Sequence, residues 1–220
     1  MKNQPQRHAS QAHPWHGVSM GPDAPDVVTS YIEIVPTDSV KYEIDKESGI
    51  LRLDRPHRFS SLCPTLYGFL PQTYCGALVA KRCADRVGVR DIQGDGDPLD
   101  ICVLTERPIS NGNLLVRAVP VGGFRMVDGQ EADDKIIAVL ESDLVYGELT
   151  HIAQLPRPLI DRLKHYFLTY KQLPTEAKRK VEIAEVYDRA EAHEVIRRAQ
   201  QDYEQLYADV PEKKKGRKKK

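Results

Sequence analysis

A series of short β-rich runs separated by turn residues constrains the fold of this chain more than any other feature. Turn sequences such as Glu47-Ser48-Gly49 and Asn111-Gly112-Asn113 lie between the runs. Strands this short and this closely spaced are typical of a closed or nearly closed barrel. The predicted strands are Val27–Val35, Val40–Ile44, Ile50–Leu53, Leu99–Leu104, Leu114–Val121, Ile136–Leu140 and Val181–Tyr187.

Two other segments space their apolar residues as helices do. Pro158–Gln172 follows Pro156 and ends before Pro174, whereas Ala190–Tyr207 lies close to the C-terminus. Tyr74–Gln93, just ahead of the most acidic motif, is expected to be a loop or a hairpin. The sequence therefore predicts the α+β class, with a small barrel flanked by a few helices.

The ends of the chain differ in composition from its centre. Residues 1–25 are rich in Pro, Gln, His and Gly without periodicity, and we expect a flexible N-terminal arm. The folded domain is expected over residues 26–210, followed by a basic C-terminal tail at residues 211–220. Because their spacing matches no ligand pattern, a solvated arm is favoured over a metal site for three histidines: His8, His13 and His16.

The charge distribution bears on the class of ligand. Formal net charge is zero, but Glu212–Lys220 carries +6, so the other 211 residues carry −6. An acidic body favours a site that gathers cations and argues against a body that binds nucleic acid. The four cysteines lack C-x-x-C spacing and are expected to be reduced thiols. No apolar run approaches the length that spans a bilayer, so a cytoplasmic location without membrane contact is expected.

The sharpest local signal is the segment Asp95–Asp100, which reads Asp-Gly-Asp-Pro-Leu-Asp where a loop enters a predicted strand. Three carboxylates this close together need cations, and magnesium is held by a few carboxylates, waters and substrate phosphates. A calcium loop of the EF-hand type is the competing interpretation, since Asp95, Asp97 and Glu106 match its first, third and twelfth positions. It is disfavoured because Asp100 stands where that loop requires glycine.

Two further charged clusters could face the same site. Asp128–Lys135 lies between predicted strands and ends in Lys135, a cation that could meet a phosphate beside carboxylate-held metal. In Val40–Asp45, the side chains of Lys41 and Glu43 share one face of a strand. These two opposite charges could simply pair with each other, or both could face a metal–phosphate site.

Several motifs follow one another in a recognisable order between about Val27 and Arg189. Asp95–Asp100 matches a D-x-D-P-x-D signature, and Val40–Asp45 matches an I-K-Y-E-x-D segment. The chain thereby resembles the family I soluble inorganic pyrophosphatases. The D-R, Y-G and aromatic-Tyr-Lys motifs of that family correspond to Asp54-Arg55, Tyr67-Gly68 and Thr169-Tyr170-Lys171.

The resemblance implies hydrolysis of pyrophosphate in the acidic cavity of a closed, five-stranded barrel of OB type. It implies magnesium as cofactor, with Mn²⁺ or other divalent metals as substitutes, and Asp97 as the general base that takes a proton from metal-activated water. The implied metal ligands are Asp95, Asp100, Asp133, Asp128 and Glu43. The implied phosphate contacts are Lys41, Arg55, Tyr67, Lys135, Tyr170 and Lys171, supported by the carboxylates of Glu33 and Asp54.

The charges of these residues agree with the implied chemistry. Eight carboxylates and four cations leave an excess of four negative charges in the proposed cavity. Divalent ions would cancel that excess, and water bound to them is acidic enough to yield hydroxide near neutral pH. Lysine and arginine would offset the charge that develops on the leaving phosphate. No cysteine, serine or histidine nucleophile is required.

Three departures from the family pattern affect assembly more than chemistry. Cys63 replaces an aromatic residue, and Tyr74–Gln93 is longer than the loop of compact bacterial members. His165 matches the first histidine of the bacterial trimer interface, but Thr169 replaces the second. A homo-oligomer is expected, of unspecified size.

Two alternatives belong to other functional classes. An OB-type barrel with a basic tail could be a nucleic-acid-binding module, but that class needs a basic groove with stacking aromatics, and only 7% of these residues are aromatic. A calcium sensor would show calcium-dependent partner binding without phosphate release.

Overall fold

The computed structural model describes residues 11–171 and 181–208. The predicted basic tail at residues 211–220 lies outside this range. The strands are β1 (Val28–Ile34), β2 (Val40–Ile44), β3 (Leu51–Pro56), β4 (Leu66–Phe69), β5 (Gln93–Gly94), β6 (Asp100–Leu104), β7 (Leu114–Asp128), β8 (Glu131–Ala132), β9 (Lys135–Leu140) and β10 (Val181–Asp188). The helices are α1 (Ala77–Val87), α2 (Arg157–Thr169) and α3 (Arg189–Tyr207), with a 3-10 turn at Ile152–Gln154.

Five strands pair in a circuit. β1 pairs with β4, β4 with β6, β6 with β9 and β9 with β7, and β7 pairs again with β1. β6 and β9 are parallel, whereas the other pairs of the circuit are antiparallel. The mixed sheet and its helices confirm the predicted α+β class. β2 and β3 form a separate two-stranded hairpin, and β10 pairs with the far half of β7.

The strand β7 is longer than the predicted run Leu114–Val121 because it continues through Gly122 and Gly123 to Asp128. At Gly123, a Cβ atom would collide with the ring of Tyr187 on β10. The two glycines therefore let β10 lie directly on a strand that also pairs with β9. This arrangement carries the chain from the core to the acidic segment that follows Asp128.

The prediction of a loop or hairpin over Tyr74–Gln93 is wrong, because Ala77–Val87 forms the helix α1. Buried Val79 and Cys83 lie one turn apart and belong to the same core cluster as residues of α3. Gly76 at the N-terminus of α1 offers no side-chain cap. Asp202 of α3 caps the helix instead, accepting hydrogen bonds from the N–H groups of residues 78 and 79 at 3.0 and 3.1 Å.

Residues 11–25 of the expected flexible arm pack against the body. Trp15 is 3% exposed, and its indole N–H donates to the carbonyl of Thr73 at 2.7 Å. The carbonyl of Trp15 accepts from the N–H of Gln72, and the ring of His16 lies 2.8 Å from the hydroxyl of Tyr203 on α3. This part of the arm therefore differs from the expected solvated segment, because burial of the Trp15 ring holds it in place.

The core has two main parts. One contains the inner residues of β1 with α1 and α3, and the other lies beneath α2. All four cysteines are free and buried, including Cys63. Within the described residues, no helix is long and apolar enough to cross a membrane.

Candidate active site

The loop between β5 and β6 carries three of the predicted carboxylates. β5 ends at Gly94, where a Cβ atom would collide with the carbonyl oxygen of Cys75. The N–H of Cys75 donates to the carbonyl of Asp97 at 2.8 Å, and the N–H of Asp97 donates to Oδ1 of Asp95 at 2.9 Å. This turn brings Asp95 and Asp97 close to Asp100, where β6 begins.

Asp100 lies at the centre of a contact network. It is the register partner of Lys135 on the neighbouring parallel strand β9. The hydroxyl of Tyr67 donates to Oδ2 of Asp100 at 2.5 Å. Nζ of Lys135 donates both to Asp100 and to Asp133. The pairing of β4, β6 and β9 thus brings together three separate parts of the sequence: Tyr67, Asp100 and the segment 133–135.

Two more predicted residues, Tyr170 and Lys171, directly follow α2. Nζ of Lys171 donates to the carboxylate of Asp128, which ends β7. The same ammonium group lies 5.5 Å from the centroid of the Tyr170 ring. The segment after α2 therefore adds an ammonium group and a phenol to the site, next to the carboxylate of Asp128.

The β2–β3 hairpin carries the remaining cations. Lys41 and Arg55 are register partners across it. Nζ of Lys41 lies 3.4 Å from a carboxylate oxygen of Glu43 and 3.4 Å from one of Asp54. Lys41 and Glu43 do pair, as the simpler interpretation of their spacing predicts. Since Lys41 also lines the cavities described below, pairing and participation in the site are compatible.

Glu33 is buried in the site, Asp95 and Asp133 are partly buried, and burial disfavours the charged forms of all three carboxylates. Burial raises the pKa of Glu33 to about 8, although its carboxylate accepts a hydrogen bond from the N–H of Ile44 at 2.8 Å. Burial also raises the pKa of Asp95 to about 8, and the nearby charge of Asp100 adds to the shift. The pKa of Asp133 is raised by burial, while Lys135 opposes that shift.

This donor set fits hard divalent cations. All the acidic groups offer oxygen ligands, and nearby positive charge favours the ionised form of those that are buried or partly buried. As placed in residues 11–171 and 181–208, no three His, Cys, Asp or Glu side chains already surround one metal position. The ammonium groups of Lys46, Lys135 and Lys171 lie against the carboxylates instead. Several carboxylates of the site are therefore already paired with positively charged lysine side chains.

Two cavities lie beside this network. The larger, of about 490 Å³, includes Lys41, Arg55, Tyr67, Tyr170 and Lys171 in its lining. The smaller, of about 80 Å³, is lined by acidic groups and two lysines: Glu33, Lys41, Glu43, Lys46, Asp97 and Asp100. The basic and acidic sides of the site are thus adjacent, with Lys41 and Tyr67 on both.

Sequence reasoning missed three side chains near the site. Lys46 contacts Asp97, and His57 and Arg58 line the larger cavity. Lys46 directly follows the Val40–Asp45 motif, and His57 and Arg58 stand two and three residues after Arg55, so closeness to these motifs was a usable signal. Cys63, which replaces an aromatic residue of the family pattern, is 1% exposed and belongs to the core beneath α2.

Comparison with protein families places these features in a known group. Residues 30–204 match the family model described as inorganic pyrophosphatase. An inorganic pyrophosphatase of Chlamydia trachomatis serovar L2 is 53% identical over 202 residues, covering 90% of this chain and 97% of that protein. Soluble inorganic pyrophosphatase 3 of Arabidopsis thaliana is 36% identical, covering 86% of this chain and 78% of its own.

Solved structures agree with the family comparison. The inorganic pyrophosphatase of Thermus thermophilus is 29% identical, with a TM-score of 0.72 over 88% of this chain and 99% of its own. A type I inorganic pyrophosphatase of Toxoplasma gondii is 26% identical, with a TM-score of 0.72 over 89% of each chain. The likeness spans sequence and fold together.

Proposed function

Because the chain belongs to the family I inorganic pyrophosphatases, we propose that it hydrolyses pyrophosphate to two phosphates with magnesium as cofactor and Asp97 as general base. The observation that carries this proposal is the position of Asp100. Its carboxylate contacts Tyr67 and Lys135 at the junction of the acidic and basic sides of the site. Pyrophosphate is an anion that binds metal ions, so it needs an acidic side that holds the metal and a basic side that contacts its phosphates.

The acidic side would hold the metal. Magnesium bound there would neutralise the excess carboxylate charge and lower the pKa of a water molecule. Asp95, Asp100 and Asp133 converge from the β5–β6 loop and the start of β9, and their oxygen atoms suit a hard cation. The other proposed ligands are Asp128 and Glu43.

Asp97 is suited to the role of proton acceptor. Its side chain is 44% exposed and projects from the turn beside Asp95, so it can reach a water molecule in the cavity. Its only described charged contact is with Lys46. That contact is made by Oδ1 of Asp97, so Oδ2 is the oxygen that would accept a proton, as general base catalysis requires.

The basic side would bind the phosphates. Lys41, Arg55 and Lys171 line the larger cavity, where their charges would offset the charge that develops on the leaving phosphate. Tyr67 and Tyr170 also line this cavity and carry hydroxyl groups. Lys135 would contact a phosphate from its position beside Asp100 and Asp133. Glu33 and Asp54 would support the site by orienting the β2–β3 hairpin, through Ile44 and Lys41 respectively.

The remaining proposals concern architecture and setting. We infer that the circuit of β1, β4, β6, β9 and β7 is the five-stranded OB-type barrel of the family. A homo-oligomer is supported by His165, which is exposed on α2 at the position of an interface histidine in the family pattern. A cytoplasmic location rests on the sequence alone. The competing nucleic-acid-binding function finds no support in the comparisons.

The experiment is a phosphate-release assay with the full-length chain and pyrophosphate, comparing magnesium, manganese and EDTA. We expect rapid release with magnesium, slower release with manganese and none with EDTA. A parallel gel-shift with single-stranded oligonucleotides measures the competing activity. Absence of phosphate release with either divalent ion would refute the proposed function.

A further inference from the structure

A fully buried ion pair lies directly behind the acidic site. The side chains of Arg125 on β7 and Asp134 are both 0% exposed, and a guanidinium nitrogen of Arg125 donates to Oδ2 of Asp134 at 2.7 Å. Asp134 stands between Asp133 and Lys135, one a proposed metal ligand and the other a proposed phosphate contact. Neither Arg125 nor Asp134 is itself a proposed metal ligand or a proposed phosphate contact.

The local backbone explains how this pair relates to the site. Successive side chains of an extended segment point to opposite faces. Asp133 and Lys135 both reach the network around Asp100, whereas the intervening Asp134 reaches Arg125 on the other side. The hydrogen bond from Arg125 therefore fixes the orientation of Asp134, and with it the direction in which the side chains of Asp133 and Lys135 point. The N–H of Asp133 also donates to the carbonyl of Met126, one residue after Arg125, at 3.0 Å.

Arg125 is itself held by the C-terminal helix. Its second terminal nitrogen donates to the carboxylate of Glu191 in the first turn of α3. Glu191 also accepts two hydrogen bonds from Arg82 of α1. The guanidinium carbon lies 4.9 Å from the centroid of the Tyr187 ring. Two helices thus fix the orientation of Arg125, whose planar fork reaches two carboxylates at once.

Stability alone does not account for this pair. Burial of two charges costs free energy that their attraction often fails to offset, so apolar residues of similar volume are commonly as stable or more so. Here two polar atoms, Nε of Arg125 and Oδ1 of Asp134, are buried without a hydrogen-bond partner among the described residues. The pair therefore suits a role in orientation better than a role in stabilising the fold.

We propose that Arg125 is a positioning residue of the active site, acting through Asp134 to hold Asp133 toward bound metal and Lys135 toward substrate phosphate. The inference rests on the proposed function, since it assigns a purpose to ligands proposed there. Loss of such a supporting contact typically weakens metal affinity or activity about 10- to 100-fold.

The test is the double variant Arg125→Met/Asp134→Leu, which replaces the pair with apolar side chains of similar size. Thermal unfolding in EDTA should stay within about 4 °C of wild type. Calorimetric titration of the metal-free protein with magnesium should show a dissociation constant raised about tenfold or more. The kcat for pyrophosphate at saturating magnesium should fall by a similar factor, because Lys135 is also displaced.

The matched control is Arg117→Met on the same strand. Arg117 pairs with Glu141 and Asp23 at the far end of β7, and its side chain is 46% exposed. We expect magnesium affinity and kcat within twofold of wild type. If the double variant also stays within twofold in both measurements, or if the control loses as much as the double variant, the positioning role is refuted.

A second variant keeps the proposal falsifiable if the double variant does not fold. Arg125→Lys retains the charge but lacks the planar fork whose two terminal nitrogens bind Asp134 and Glu191 separately. Its magnesium dissociation constant should rise, though by less than in the double variant, and an unchanged value would overturn the inference. Wild-type protein separates the two hypotheses: if it releases no phosphate, the proposed function fails, whereas an active wild type beside unaffected variants refutes only the role of Arg125.

Discussion

The ammonium group of Lys46 donates a hydrogen bond to the carboxylate of Asp97 at the edge of the acidic cavity. The two side chains are 49% and 44% exposed. Exposed ion pairs contribute at most about 1 kcal/mol to the free energy of unfolding. We therefore expect Lys46→Met to shift the melting temperature by less than about 4 °C, as measured by calorimetry in EDTA. A larger fall would mean that the β2–β3 turn depends on this pair for its structure.

Asp97→Asn tests the general base directly. The amide keeps the size of the side chain but is a poor proton acceptor, so kcat should fall about 10²-fold or more. Melting temperature and magnesium affinity should change little, because Asp97 is not among the proposed metal ligands. The control is Asp161→Asn, which removes an exposed carboxylate paired with Arg157 on α2 and should leave kcat unchanged. Turnover of Asp97→Asn near the wild-type value would remove Asp97 from this role.

Much of the fold could be predicted because local pattern and tertiary structure agree. The strand Val40–Ile44 was predicted with its observed bounds, and the helix over Ala190–Tyr207 begins only one residue earlier, at Arg189. The helix α1 was missed for a physical reason. Its N-terminal N–H groups are satisfied by Asp202, more than a hundred residues later, so no local cap marked its start.

Some residues of the candidate site could likewise be predicted from the sequence, whereas the role of others depends on the fold. The acidic and basic residues of the site stand in dense motifs, so their charges were visible in the sequence, as with Asp95–Asp100. Arg125 stands between Phe124 and Met126, and its importance depends on contacts with Asp134 and Glu191 that only the fold creates. Asp134 was visible within its acidic cluster, but its direction, away from the site, was not.

The buried carboxyl group of Glu33 predicts how pH affects the metal-free protein. Burial raises the pKa of Glu33 from 4.5 to about 8. Between these values the folded state binds a proton that the unfolded state has released. The free energy of unfolding should therefore fall as pH rises from 5 to 8, by up to about 1.4 kcal/mol per pH unit for each such group. Urea unfolding in EDTA at several pH values measures this slope.

Glu33→Gln provides the comparison for that slope. Glutamine can still accept the hydrogen bond from the N–H of Ile44, but it does not titrate. Asp95 retains its own raised pKa of about 8, so the slope should become shallower without vanishing. Equal slopes for the variant and the wild type would show that Glu33 is already ionised in the folded protein at neutral pH.

Metal binding should reverse the cost of gathering these carboxylates. Like charges held together destabilise the folded state, and unfolding separates them. Magnesium that binds only the folded chain adds RT ln(1 + [Mg]/Kd), about 2.7 kcal/mol when its concentration is a hundredfold above Kd. Sodium chloride at the same ionic strength should reproduce only part of this gain, because screening cannot replace ligation by oxygen atoms.

Asp100→Asn distinguishes ligation from general screening. Asp100 is a proposed metal ligand, and its carboxylate already contacts Tyr67 and Lys135. Thermal unfolding of the variant in EDTA, in magnesium and in matched sodium chloride should show a smaller magnesium-induced rise, with the sodium chloride shift retained. Asp161→Asn should keep the full magnesium shift. If Asp100→Asn also keeps it, or if the two salts stabilise the wild type equally, the stabilising metal does not bind at Asp100, and the acidic cavity acts only through its charge.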